Sequence, residues 1–597
     1  MFRIIRQALT LLSSRERKQV YLLLALSAIA AIVQTVAILS IMPFIVLLAN
    51  PAVLQTNVLL QRLYDVLGVQ SYHEFLMIVG VFGILVLTIG NLFLAFEHWL
   101  SHRFLCLLGH RVEKLVLRKM LAQPYEYFMA HHTARLGDIV LHQVERVVDG
   151  VIGTFVLVFS NLALAIFVVL MLLLVSLKTT LVTLVGLFLL YLAVFLVLRR
   201  RIADHGSELT RLSGNVFTLV RETFDGIKEI KTRRAEGFFA GRFDGSNLQM
   251  SRLAIRYGVM SFLPNFILET LIFAGLVAVA LYFVVTTQNA GVSLSFIALY
   301  GMATYRLVPS LKAVFEGVTD IHHNGDAVRI VLEHCQEQAE EMQTKELATP
   351  TRELQLQDVS YRYGNSGELQ LSDIDLSIRI GSSVCLFGPS GAGKTTMLNL
   401  LVGLIYPRHG HLWCDDSPIA PTTIDSWREK IGYCPQQLFL FNDTISSNIA
   451  FGVPAGEIDQ ARVLEVGKLA MLDDFVSQDL EHRYETVIGE DGKTLSGGQR
   501  QRVGIARALY HDPDVIILDE SFAGLDSTNR TAILENLFAL AGKTLIFSSH
   551  DIAIASRCDK VVVLEQGHRI AQGSYEELCD SPRFAQLLSR LEDQQRA

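Results

Sequence analysis

The sequence predicts a chain of two unlike domains. An all-α six-helix transmembrane domain with long cytoplasmic helical extensions comes first, and an α/β domain carrying a phosphate loop follows. Three observations predict this. Six apolar runs fall before residue 330. The stretch Gly388-Pro389-Ser390-Gly391-Ala392-Gly393-Lys394-Thr395 fits the pattern G-x-x-x-x-G-K-[ST]. The apolar run Val515-Ile516-Ile517-Leu518 ends on two acids, Asp519 and Glu520. Composition agrees: 597 residues exceed one ordinary domain. A hydrophobic share of 51% and a mean hydropathy of +0.37 suit a half-membrane chain.

The elements follow in order. Spans are expected at about 20–49, 75–100, 152–177, 180–198, 260–285 and 294–318, each close to or above the ~20 residues that cross hydrocarbon. The first is far longer than a signal-peptide core and no small-residue cleavage pattern closes it, so it reads as a span. The last is the least apolar, with Arg306, Lys312 and Glu316 inside it. Between the first two, Val58–Leu67 has apolar residues at helical spacing, either a short amphipathic helix on the outer surface or a packed loop cap.

The loops give orientation. Arg3, Arg6, Arg15, Arg17 and Lys18 precede the first span. The long segments 101–151 and 199–259 carry Arg111, Lys114, Arg118, Arg199, Arg200 and Arg201, whereas 51–74, 178 and 286–291 carry few cations. By the positive-inside rule both termini are cytoplasmic. The transmembrane domain is expected over 1–335 and a linker over 336–352. There a Gln/Glu-rich stretch, Glu333–Glu346, gives way to Thr349-Pro350-Thr351. The α/β domain occupies 353–597.

Charge and cysteine usage exclude some classes. A net charge of −7 gives no reason to expect nucleic-acid binding. Seven cysteines without a C-x-x-C pair argue against a zinc site or a disulfide framework and read as packing residues.

The phosphate-loop half carries the chemistry. Its glycines let backbone N–H groups converge on phosphate oxygens at a helix N-terminus. Lys394 would reach the β- and γ-phosphates, and the Thr395 hydroxyl, with Thr396 beside it, would face the metal and phosphates. Asp519, at the end of a buried strand, would hold Mg²⁺, and Glu520 would polarise the attacking water.

About a hundred residues after the loop, and before the acidic strand end, stands Leu495-Ser496-Gly497-Gly498-Gln499. With this pentapeptide in that place, the chain resembles the ATP-binding cassette (ABC) transporter superfamily, of the exporter type. The resemblance implies ATP and Mg²⁺ as cofactors. It implies that Gln436, in Gly432-Tyr433-Cys434-Pro435-Gln436-Gln437, touches Mg²⁺ or water and reports nucleotide state. It implies that His550, ending Ile546-Phe547-Ser548-Ser549-His550, contacts the γ-phosphate. Tyr363 matches the aromatic that stacks on adenine, with Tyr361 two residues away as the other candidate. Ser496, Gly497, Gly498 and Gln499 would contact ATP held by a second protomer, and Asp526 would cross the same interface. The chain has one membrane half and one cassette, so the resemblance implies a homodimer through both domains. One departure stands out: the usual Ser-Ala-Leu-Asp reads Ala523-Gly524-Leu525-Asp526, after a bulky Phe522.

The cytoplasmic segments resemble the family's coupling regions at Pro124-Tyr125-Glu126-Tyr127-Phe128 to Gly137, and at Gly226-Ile227-Lys228-Glu229-Ile230-Lys231 with Glu236. Ser40-Ile41-Met42-Pro43-Phe44-Ile45, Leu299–Ser310 and Phe439-Leu440-Phe441-Asn442-Asp443 look like bacterial flippases of lipid-linked oligosaccharides. That implies the bacterial inner membrane and an amphiphilic anionic lipid-linked substrate among membrane lipids. Ionisable groups inside spans are costly and default to function. Arg306 is therefore the expected head-group contact, Lys312 shares its helix, and Glu269 is a possible partner holding Arg306 as an internal ion pair. Another exported substrate, such as a phospholipid or glycolipid, a hydrophobic drug or a small peptide, is the alternative.

Overall fold

A computed structural model describes residues 1–49, 51, 54, 58–131, 133–175, 177, 180–181, 208–209, 211–287, 290–336, 345–364, 369–489, 492–581, 584–586 and 588. Nearly all of the expected fourth span, 180–198, and part of the linker lie outside these residues. The chain forms two compact units: Met1–Leu121 with Thr133–Glu337, and Ala122–His132 with Gln338–Ala597. The boundary therefore differs from a single cut near residue 336. Eleven residues of the first cytoplasmic segment group with the second unit, where Glu126 is bonded, as described below.

The first unit is helical. α1 (Phe2–Ala8) precedes α2 (Ser14–Leu39). Ser13 starts α2 with a capping box: its side chain accepts from the Glu16 amide while Glu16 reaches back to the Ser13 amide. The expected first span is in fact two helices, α2 and α3 (Met42–Ala49), divided at Ser40-Ile41. Pro43 lacks the N–H that would continue α2 and sits instead in the first turn of α3, where no donor is needed. α4 (Val58–Leu67) is the short outer helix. Its Leu60 and Tyr64 pack beside Leu47, Phe75 and Val79, whereas Val58 and Val66 are exposed, so it acts as a cap on one side and an apolar strip on the other.

α5 (Tyr72–Leu121) runs 50 residues, about 75 Å at 1.5 Å per residue, and so extends far beyond a ~30 Å hydrocarbon core. α6 (Tyr125–Ala130) follows Pro124. The next helix widens to π-turns at Ile139–Gln143 and Val148–Gly153 before α7 (Thr154–Val175). α8 (Ile227–Arg233) ends on left-handed Arg234. α9 (Glu236–Thr287), α10 (Ala290–His323) and α11 (Gly325–Gln336) complete the unit. Among the described residues, Ser14–Leu48, Tyr72–Leu121 and Arg135–Leu174 are long and apolar enough to cross a membrane. α2, α7 and α10 share a core of Ala31, Ile38, Val168, Met171, Leu299 and Ala303. α7 and α10 approach closely at Gly317, where a Cβ would lie 2.4 Å from Val158 Cγ2.

The second unit has two sheets. β1 (Glu353–Tyr361), β2 (Leu371–Arg379), β4 (His409–Cys414) and β5 (Ser417–Pro418) form an antiparallel sheet in the order β2-β1-β4-β5. β3 (Ser383–Phe387), β6 (Ile431–Cys434), β7 (Val515–Asp519), β8 (Thr544–Ser549), β9 (Lys560–Glu565) and β10 (His568–Gly573) form the other, in the order β10-β9-β3-β8-β7-β6. Strands β9, β3, β8, β7 and β6 are parallel. β3, β7 and β8 are buried along their whole length, which is why they read as unbroken apolar runs. Ligands of such sheets bind beyond the carboxyl ends of the strands.

Candidate nucleotide site and membrane cavity

Three neighbouring parallel strands end at one place. β3 delivers the loop 388–393 and α12 (Lys394–Val402), β7 delivers Asp519 and Glu520, and β8 delivers Ser548 to His550. Glycine is required at two loop positions. A Cβ at Gly388 would sit 2.3 Å from the Leu564 carbonyl, and Gly393 has φ +99° just before α12. Lys394, 5% exposed, donates to the carbonyls of Gly388 at 2.8 Å and Pro389 at 3.1 Å. Its ammonium also lies 3.5 Å from Glu520 Oε1. Gln436 Nε2, from the loop after β6, donates to Glu520 Oε2 at 2.8 Å. Glu520 has φ +47°, uncommon for a side chain with a Cβ, and its amide bonds to the Ser548 carbonyl.

Asp519 is buried, and among the described residues neither carboxylate oxygen has a hydrogen-bond partner. Burial pushes its pKa up; the hydroxyls of Ser548 and Thr395 lie near enough to oppose that without closing a bond. An orphaned buried carboxylate beside a hydroxyl is the donor set a hard cation takes, so these residues fit Mg²⁺. His550 is exposed at the end of β8.

The aromatic alternatives separate. Tyr361 is fully buried, whereas Tyr363 is half-buried with its hydroxyl 3.3 Å from Thr396 Oγ1, in the first turn of α12. Their rings meet edge-to-face at 5.0 Å. Ser496 caps α13 (Gly497–Tyr510) through a reciprocal capping box with Gln499. The Gln499 side chain is thus engaged within its own helix. Asp526 likewise caps α14 (Ser527–Phe538), accepting from the Asn529 amide at 2.9 Å. Gly524 packs against α13: a Cβ on Gly498 would come 2.8 Å from its carbonyl, and its amide bonds to Gln501. The departure at 523–526 therefore serves close packing, and Phe522 is buried beside Phe547. Among the described residues no hydrogen bond or ion pair joins 496–499 to the phosphate loop.

In the helical unit, Arg306 lines a cavity of about 410 Å³ together with Gln34, Glu97, Asn161, Tyr305 and Ser310. Its guanidinium donates to Asn91 Oδ1 at 3.4 Å. Glu97 is 2% exposed and accepts from Ser27 at 2.5 Å. The expected pairing of Glu269 with Arg306 is not formed. Glu269 is exposed on α9 and no ion pair joins the two. Lys312 pairs with Glu316 one turn on, 3.7 Å away, both largely exposed.

Sequence reasoning missed Asn91, Gln34 and Asn161, although polar residues within apolar runs were a usable signal, and it read Glu97 as an interfacial residue closing the second span, whereas Glu97 is buried and lines the cavity. It also missed Glu126 as a partner of the second unit. Tyr361 donates to Glu126 Oε1 at 2.8 Å, and Arg408 lies 3.7 Å from Oε2. No motif links positions so far apart.

Comparison with known proteins follows the same division. The ABC transporter family model matches residues 371–523, and the ABC transporter transmembrane region model matches 38–306. The ATP-dependent lipid A-core flippase of Cupriavidus metallidurans is 30% identical over 465 residues, 77% of this chain and 78% of that one. The protein of the same name from Ralstonia nicotianae is 29% identical over 498 residues, 82% of this chain and 83% of its own. Heterocyst differentiation ATP-binding protein HepA of Nostoc sp. is 27% identical over 479 residues, 79% and 77% of the two chains. A solved bacterial Atm1-family ABC exporter with ATP bound has the same fold, with TM-score 0.76, 20% identity and 98% of each chain covered.

Proposed function

The chain belongs to the ABC transporter family, a membrane exporter whose ATPase domain couples ATP hydrolysis to transport, and we propose that it flips an anionic saccharide-bearing lipid across the bacterial inner membrane as a homodimer. The observation that carries the chemistry is the convergence of Lys394, Gln436 and Glu520 at adjoining strand ends, beside the unpartnered carboxylate of Asp519.

In this reading the loop amides and Lys394 bind the phosphates of ATP, and Tyr363 packs on its base. Thr395, Gln436 and Asp519 would hold Mg²⁺, which when bound draws charge off the phosphate oxygens. Glu520 orients and deprotonates the attacking water, and His550 meets the γ-phosphate. Ser496 to Gln499 and Asp526 of one protomer complete the site of the other, with Ser496 and the helix α13 N-terminus facing phosphate. Closing the cassettes around two nucleotides then reorganises six spans per protomer, both termini remaining cytoplasmic.

Two features support the substrate class. Arg306 opens into a cavity of mixed lining that also carries Gln34, Asn161 and Ser310, and a guanidinium suits phosphate. A cavity of about 410 Å³ suits a head group, and the lipid tail need not leave the bilayer. The preferred cargo is a polyprenyl-pyrophosphate oligosaccharide. The names of the relatives favour a second reading, a glycolipid of the lipid A-core kind. Proteoliposomes carrying each fluorescent lipid, with wild type and Glu520→Gln, test both. Movement of one lipid by wild type alone assigns it. ATP turnover without movement of either removes this substrate class.

A further inference from the structure

Glu126 lies in the eleven-residue segment that leaves α5, packs with the ATP-binding unit and returns to the membrane helices. Its carboxylate is bonded twice to the rest of the unit. The Arg408 pair is half-exposed at 3.7 Å and is the weaker contact. The Tyr361 hydroxyl is the stronger one, 2.8 Å from a charged acceptor and carried on a fully buried ring. That ring is packed in the cassette core. On its other side it meets the edge of Tyr363, at 5.0 Å and 88°. Tyr433, at the end of β6 before Gln436, is the adjoining aromatic; burial first, then the charges of Asp519, Tyr125 and Tyr363, push its pKa up, which sets it among the same groups.

We propose that Tyr361 and Glu126 form a relay by which a base packed on Tyr363 fixes the position of segment 122–132. Tyr361 and Glu126 are positioning residues: neither touches nucleotide. The relay rests on the reading of Tyr363 as the adenine contact. ATP fixes the Tyr363 ring, the edge-to-face pair holds the orientation of Tyr361, and the hydroxyl sets where the Glu126 carboxylate sits.

Amide hydrogen exchange of the full-length protein in phospholipid nanodiscs tests this, in a Glu520→Gln background that holds ATP. ATP is expected to slow exchange across 122–132 about tenfold, and tripolyphosphate, which has no base, less than twofold at a concentration filling the same site. Tyr361→Phe and Glu126→Gln are each expected to cut the ATP effect to under twofold, with ATP affinity within threefold of the parent, and the double variant to add nothing. An undiminished ATP effect in both variants overturns the relay. So does equally slow exchange with and without ATP, which would make the pair a simple staple. Loss of ATP affinity in Tyr361→Phe would move Tyr361 into the nucleotide pocket instead. Unchanged ATP affinity in Tyr363→Ala would remove the adenine reading itself, a separate result.

Discussion

Glu520 sits on strained backbone, and strain of this kind persists where the surrounding structure over-determines it. Its carboxylate is aimed by Gln436 and Lys394, so Glu520→Gln keeps the shape and removes the base. Phosphate release should fall by about 10²–10⁴-fold while ATP still binds, read by steady-state hydrolysis and nucleotide binding on the same sample. Asp415 offers a stability test. Burial raises its pKa, but the amides of Glu353, Thr351 and Arg352 and the Thr351 hydroxyl outweigh that and hold it at about 2, against 3.8 ordinarily. A lowered folded pKa gives stability that is present above the ordinary value and lost as pH falls through about 2. For so exposed a group the contribution is about 1 kcal/mol after screening. Asp415 has φ +52°, which Asn tolerates, so Asp415→Asn isolates the charge. The gap in thermal unfolding between wild type and variant should close between about pH 4 and pH 2. At this scale the motif residues were legible, because a phosphate loop needs glycines and a lysine at fixed local spacing. Arg306 with Asn91, 215 positions apart, and Tyr361 with Glu126, 235 apart, were not, since no local pattern records such distances.

Among the elements, the buried strands announced themselves. β7 is apolar throughout because both faces are covered, and its end is marked by the acids. The long helices were legible as apolar runs continued by charged ones. The break at Ser40-Ile41 and the π-turns before α7 were not, because periodicity reports the face that is buried and not the hydrogen-bond register. The contact of α7 with α10 gives a graded prediction. Gly317→Ala puts a Cβ against Val158 and Thr154 and should cost about 1–3 kcal/mol. Gly301→Ala, on the same helix with nothing within 4 Å, should cost nothing and add up to about 1 kcal/mol of helix propensity. Thermal unfolding in detergent should therefore fall for the first and hold or rise for the second.

For the whole molecule, the sequence-based expectation of one cut between membrane and cassette was too simple. The chain visits the second unit twice, first through 122–132 and then from 338 onward. If two copies share each ATP site, Lys394→Ala and Ser496→Arg homodimers are both inactive. Random mixing makes half of the dimers hybrid, each with one intact site of two, so about a quarter of wild-type hydrolysis should return. A chain that closes its own site would recover nothing on mixing. The double visit also bears on how such proteins are recombined. A crossover in the linker exchanges everything from 345 onward but leaves Glu126 behind with the old membrane half. Chimaeras between relatives should assemble well only when the incoming cassette brings a hydroxyl and a cation matching Tyr361 and Arg408, so modular exchange here carries a compatibility rule written outside the exchanged module.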